Sequence, residues 1–457
     1  MKRIVTALIT AMLLIAAMCV SASASDFDSV AEDLSKIGMF RGTASGFELD
    51  RAPTRSEAAI MLVRLYGAED TAKADYAAGK ISHPFTDVSE FASPYVAWLT
   101  TNGIANGTSA TTFGSSKACS AQNYVTFLLR ALGYQDTADF AYADALTFAQ
   151  SKGFYDPLLF TGAFLRDDLA AVTYQALAAD LKDGSTYLLA SLVKSGAIDA
   201  KAAAAMTERI EAYRSLNAVS AKMDETAMDA DINVKMNMSM SSDGETTTIP
   251  TVSTGNMKFI MDGSDVRMAY QTTSVMDGLS VDTGMWMKDG WVYISTASDG
   301  EQSNFKYQVP DALAELEALG GMETGAVNIN GLAMLDSIAV SKSGSDTVYT
   351  VVIGSSMSKY ANDLVGSVLG ETQLGGMDLS YGDISAVYTV GRDGAIKTIA
   401  MVFSASMSMD LGEELGTIAA DYDYDMTMTI KATGSAVKIT YPDFSKFQEI
   451  SDSDLAA

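Results

Sequence analysis

Apolar residues in the first half of the chain recur at the three- and four-residue spacing of a helix that buries one stripe. Ala58, Met61, Leu62 and Leu65 show it in one segment, and Val125, Leu128, Leu129 and Leu132 in another. Near residue 225 the period changes to two. In "ADINVKMNMSMSS" Ile232, Val234, Met236, Met238 and Met240 share one face, and Asn233, Lys235, Asn237 and Ser239 the other, which is the pattern of a half-buried strand. A helical part followed by a sheet part is the expectation.

The alternation predicts strands at 230–241, 254–262, 266–273, 285–288, 291–295, 337–342, 347–353, 385–390, 396–409, 421–432 and 437–441. Two helices, "DALAELEALGG" and "SKYANDLVGSVLG", interrupt them. Asp-Gly pairs after Met261, Lys288 and Arg392 supply the left-handed residues that tight hairpins require. Residues 183–225 read as a helical connector and 226–450 as one antiparallel sheet domain.

The helical part repeats itself. Superposing "LVRLYG" (62–67) on "LLRALG" (128–133) aligns Arg64 with Arg130, Phe47 with Phe113, and "GMFRG" (38–42) with "GIANG" (103–107). A weaker third copy runs from Tyr142 to Ala178. Each unit is a short helix, a glycine-bounded turn, an aromatic-bearing loop and a longer helix. Three such units at 26–68, 83–135 and 139–182 can bury a core that one cannot.

Motifs in these units carry a family resemblance. Repeat two has "FTDV" (85–88), Trp98, "GIANG" and Phe113, and repeat one has "TRSE" (54–57). In order and spacing this part of the chain, roughly 26–180, resembles the S-layer homology domain. The resemblance implies an all-α, pseudo-threefold prism whose inter-repeat grooves bind a secondary cell-wall polymer, often one carrying ketal-pyruvate groups. It also implies that the family's motif arginine falls on Arg55.

The residues of "TRSE" divide by role. Thr54 and Glu57 have the spacing of a capping box, worth about 1 kcal/mol to a helix start. Arg55 takes no part in capping. At the first helical position the macrodipole disfavours a cation, and an exposed arginine is implied. A guanidinium beside free N–H groups makes an anion site, and its fork suits a carboxylate. Repeat three aligns as "LRDD" (165–168), keeping Arg166, losing the cap and placing Asp168 at the glutamate position. Repeat two aligns as "SAQN" (120–123), keeping the cap with Ser120 but lacking the arginine at Ala121, so that groove is expected to be weak for anions. Tyr95, Trp98 and Phe113 read either as core or as a sugar-stacking surface, with core favoured for Trp98 and Phe113. The candidate polymer-binding residues are Arg55, Arg166, Glu57, Thr54, Asp168 and Trp98.

Composition narrows the partners. With a formal charge of −26 the chain repels nucleic acid and anionic lipid, yet 48% hydrophobic residues keep it globular. Lys2 and Arg3, the apolar run from Ile4 to Val20 and Ser21-Ala22-Ser23-Ala24 have the form of a secretory leader over residues 1–24. Lipidation at Cys19 is disfavoured by its neighbours Met18 and Val20. No later stretch is long and apolar enough for a transmembrane helix, so the processed chain is expected outside the cell, at the cell wall or S-layer. Past the leader only Cys119 remains, beside the single histidine His83, which reads as a solvated loop residue before Pro84. These are too few for a Cys/His zinc site, and neither a metal nor a cofactor is expected.

The second half resembles, less specifically, the half-barrels of bacterial lipoproteins and lipoprotein carriers, in "MWMKDGWVYIST" and "VKITYPDF". That likeness implies an apolar groove for a lipid or other hydrophobic ligand. Met401, Met407, Met409, Met426 and Met428 extend the methionine face of the first strand, read either as such a groove or as an ordinary sheet core. Asp421, Asp423 and Asp425 lack the loop and glycine of a calcium site and read as a solvated face. The expected function is anchoring of a secreted, non-enzymatic protein to the cell envelope. The alternatives are a hydrophobic-ligand carrier and a wall-anchored glycosidase, for which no carboxylate pair is evident.

Overall fold

A computed structural model of the chain describes residues 27–157, 159–160, 162–223, 226–242, 245–263, 265–309, 331–354, 377–410 and 417–450. The leader and the two helices expected at 311–321 and 358–370 lie outside the described residues. The chain divides into a helical unit, Ala24–Arg214 with Ile329–Asp336, and a β unit, Ser215–Asn328 with Ser337–Ala457.

The helical unit contains α1 (Asp28–Lys36), α2 (Arg55–Leu65), α3 (Glu69–Ala77), α4 (Ser93–Thr101), α5 (Ala121–Ala131), α6 (Ala145–Ser151), α7 (Arg166–Leu177) and α8 (Leu188–Ser195), and α9 (Ala204–Ser220) follows. A short helix precedes a longer one three times: α1 and α2, α4 and α5, α6 and α7. The turn after each short helix starts on a glycine at positive φ, Gly38 (76°), Gly103 (68°) and Gly153 (75°), a conformation that costs other residues about 1 kcal/mol or more. The second motif glycine has a different reason. A Cβ on Gly107 would run into the Phe85 ring and lie 2.6 Å from the Ser109 carbonyl oxygen; one on Gly42 would lie 2.6 Å from that of Gly46. Leu34, Leu62, Leu99, Leu128, Tyr124 and Phe113 form the core, and all twelve residues of α7 are buried.

The β unit is a large, curved, unclosed antiparallel sheet. Its strands are β1 (Ala227–Ser242), β2 (Glu245–Asp262), β3 (Asp265–Met276), β4 (Leu279–Lys288), β5 (Trp291–Ser298), β6 (Glu301–Gln308), β7 (Leu335–Ser343), β8 (Asp346–Ile353), β9 (Met377–Tyr381), β10 (Ile384–Val390), β11 (Ile396–Asp410), β12 (Thr417–Thr433) and β13 (Gln448–Glu449). The order across it is β13-β6-β5-β4-β3-β2-β1-β12-β11-β10-β8-β7, with β9 pairing β11. Met236 lies opposite Tyr424 and Asn237 opposite Asp423. Met236, Met238, Met401, Phe403 and Tyr424 are buried, whereas Asp421, Asp423 and Asp425 are exposed, as the alternation required.

Three hairpins turn on Asp-Gly pairs with both residues at positive φ: Asp277-Gly278, Asp289-Gly290 and Asp299-Gly300. Three strands, β6, β9 and the two-residue β13, lay beyond the pattern. β6, "EQSNFKYQ", has only Phe305 and Tyr307 as large apolar residues, and β9 is five residues long. The strand expected at 437–441 is irregular chain instead. It leads to Phe444, whose ring stacks on Tyr293 at 3.7 Å and meets Trp286 edge-on, so its apolar residues serve side-chain packing rather than a ladder.

Candidate functional site

The start of each longer helix is a local capping problem with three solutions. Before α2, the Thr54 hydroxyl accepts from the Glu57 N–H at 3.2 Å, and the Thr54 N–H donates to Glu57 Oε2 at 2.8 Å, closing the capping box. Before α5, Ser120 Oγ accepts from the Asn123 N–H at 3.3 Å. Before α7, leucine offers no acceptor and only the reciprocal half remains, the Leu165 N–H donating to Asp168 Oδ2 at 2.7 Å.

These starts also join the repeats. At α2 the Arg55 and Ser56 N–H groups donate to the carbonyls of Lys117 and Ser115 in repeat two; at α7 those of Arg166 and Asp167 donate to Arg51 and Leu49 in repeat one. The first residue of each helix is therefore buried by its neighbour, contrary to the exposed arginine implied by the sequence: Arg55 is 8% exposed and Arg166 4%. Asp87 of "FTDV" fixes the receiving loop by accepting from the N–H groups of Phe113, Gly114 and Ser115 at 2.7, 2.7 and 2.9 Å.

The two arginines end in different electrostatic settings. Arg166 donates from Nε to the Phe47 carbonyl at 2.9 Å, lies 4.9 Å over the Phe40 ring, and is paired with the Glu57 carboxylate at 3.1 Å. Arg55 reaches the same loop one repeat on but holds it differently: it donates to the Asn106 carbonyl, aligned with that of Arg41, at 2.7 Å and to Asn123 Oδ1 at 3.1 Å, and lies 4.8 Å over the Phe113 ring. Asn123 stands at the position aligned with Glu57, so the carboxylate that neutralises Arg166 has no counterpart here. Among the described ion pairs none involves Arg55, and its Nε is buried without a hydrogen-bond partner. Burial lowers the pKa of Arg55 from its ordinary value.

Glu57 is the centre of the other junction. Arg51, absent from the sequence-based candidates, grips it from both guanidinium nitrogens at 2.6 and 3.0 Å. Burial raises the Glu57 carboxyl, but hydrogen bonds from Arg51 and Thr54 and the charge of Arg166 outweigh it and hold the group at about 2. Thr54, Glu57 and Arg166 thus form one cluster, and Asp168 caps the helix that begins with Arg166. Arg55 faces the other way. Trp98 is half-buried on α4 with its ring 5.5 Å from Tyr66, and Phe113 is fully buried.

At α5 the aligned junction opens instead as a groove of about 450 Å³, lined among others by Ser120, Ala121, Gln122, Ala163 and Phe164. Cys119 also borders it, but burial pushes the thiol up to about 12 and leaves it a poor nucleophile. His83 is half-buried rather than solvated: its Nδ1 accepts from the Phe85 N–H at 3.2 Å and its ring stacks on Phe85. Among the described residues no cluster of three metal-ligating side chains occurs, and no helix is long and apolar enough to cross a membrane.

Residues 84–120 match the family model of the S-layer homology domain, and the chain carries that domain within its helical region. Domains of this class tie proteins to the cell envelope by binding wall polymers, which makes this a cell-wall-associated protein. No curated protein matches the sequence. Similar solved structures include a DUF1329 family protein from Desulfovibrio piger (10% identity, 48% of this chain and 91% of that one, TM-score 0.15). Others are the ywiB protein from Bacillus subtilis (13%, 47% and 98%, TM-score 0.14) and an outer membrane lipoprotein-sorting protein domain from Vibrio parahaemolyticus (10%, 51% and 97%, TM-score 0.15). At these scores the likenesses carry no argument about function.

Proposed function

We propose that this is a secreted protein held non-covalently at the cell wall by its helical repeats, which bind an acidic secondary wall polymer and display the β unit. The observation that carries the reading is Arg55, a residue more than nine-tenths buried that has, among the described residues, no counter-ion and whose Nε is unpartnered. A buried charge without a partner is costly, and an anion brought by a ligand removes that cost. A planar carboxylate such as a pyruvyl ketal on a sugar fits the fork. On this reading Arg55 meets the acid group. Arg166, already neutralised by Glu57, holds the neighbouring junction together with Thr54 and Asp168, and the partly exposed Trp98 ring offers a surface to a sugar.

The test supplies the missing counter-ion from within. Asn123→Glu places a carboxylate where Glu57 stands for Arg166, and Asn123→Gln is the neutral control. Expected is a fold at least as stable as the parent with wall-polymer affinity reduced tenfold or more in the glutamate variant alone. Equal affinity in both variants would contradict the assignment.

A further inference from the structure

The sheet ends differently at its two edges. At one, the chain's own last segment covers β6: β13 pairs in parallel with Phe305 and Lys306, and the Ile450 N–H donates to the Lys306 carbonyl at 3.0 Å. At the other, β7 stands last in the order beside β8 and, among the described residues, has no strand on its outer side. Residues 336, 337 and 339–343 are exposed, Val340 at 49%. Proteins usually blunt such an edge with proline, clustered charge or a covering segment. "LDSIAVSKS" has no proline, and its charges are one aspartate and one lysine.

We propose that β7 joins two copies of this chain, antiparallel edge to edge, about a twofold axis at Ala339. The strand's own sequence selects a second copy as the occupant. With Ala339 opposite Ala339, Ile338 faces Val340, Ser337 faces Ser341 and Asp336 faces Lys342, and every pair occurs twice because the interface is isologous. β-Branched residues facing each other and acid facing base are both favourable cross-strand pairs, each worth a few tenths to about 1 kcal/mol. Moving the axis to Val340 sets Lys342 against Ile338 and Asp336 against Gly344, so the sequence distinguishes this register from its neighbour. The net charge of −26 opposes association, but at physiological ionic strength it is screened beyond about 8 Å, while the paired residues lie closer than that.

Sedimentation of the purified protein over a range of concentrations reads the assembly, and single cysteines read the register. Expected are a species of twice the chain mass, its weakening tenfold or more in Val340→Lys, and a disulfide-linked dimer from Ala339→Cys under mild oxidation. Ser341→Cys alone should not cross-link, whereas a mixture of Ser337→Cys and Ser341→Cys chains should. All four positions are exposed or nearly so, which keeps the effect on folding small. A monomer at every concentration, a dimer untouched by Val340→Lys, or equal cross-linking from residues 339 and 341 alone would overturn the proposal.

Discussion

Arg55 and Arg166 hold the same place in their helices and reach the same loop of the next repeat, yet among the described residues one is ion-paired and the other is not. A single aligned position makes the difference, glutamate at 57 and asparagine at 123. The sequence made the missing arginine at Ala121 visible. That the consequence of Asn123 falls on Arg55 was not visible, because the start of one repeat's helix meets the next repeat. Glu57 provides a prediction at the same scale. Its folded pKa of about 2 lies below the ordinary 4.5, so its stabilisation is complete above about 4.5 and fades as the pH falls toward 2. Urea titrations at pH 7 and pH 3 should show the helical unit losing on the order of 1 kcal/mol more in the parent than in Glu57→Gln, half of the roughly 2 kcal/mol that the full shift gives by pH 3, because the carboxylate is partly exposed.

Among the elements, local chemistry was the most legible. The capping box of "TRSE" and the Asp289-Gly290 hairpin form where the residue types require them. β6 escaped because a mostly polar edge strand shows little alternation, and the apolar residues near 440 misled because aromatic packing by Phe444 and Phe447 uses the same residue types as a strand. The two glycines of "GIANG" look alike in sequence and differ in reason, Gly103 for its positive φ and Gly107 for the Phe85 ring against it. Gly107→Ala should therefore destabilise the helical unit by about 1–3 kcal/mol through overpacking, read as a lower urea midpoint. A compensating Phe85→Leu should recover part of the loss.

For the whole molecule, the change of period near residue 225 foretold a helical unit followed by a sheet, the half-barrel resemblance foretold that the sheet stays open, and motif spacing foretold the S-layer homology domain. Burial of the motif arginines was not foretold, since helix periodicity describes one element and their surroundings are built by a neighbouring repeat. The central claim is that these repeats hold the protein to a non-peptidoglycan polymer of the wall. Co-sedimentation of the purified protein with isolated cell walls, before and after chemical stripping of that polymer, tests it most directly. The account predicts binding to native walls and its loss on stripped walls; equal binding to both would contradict it.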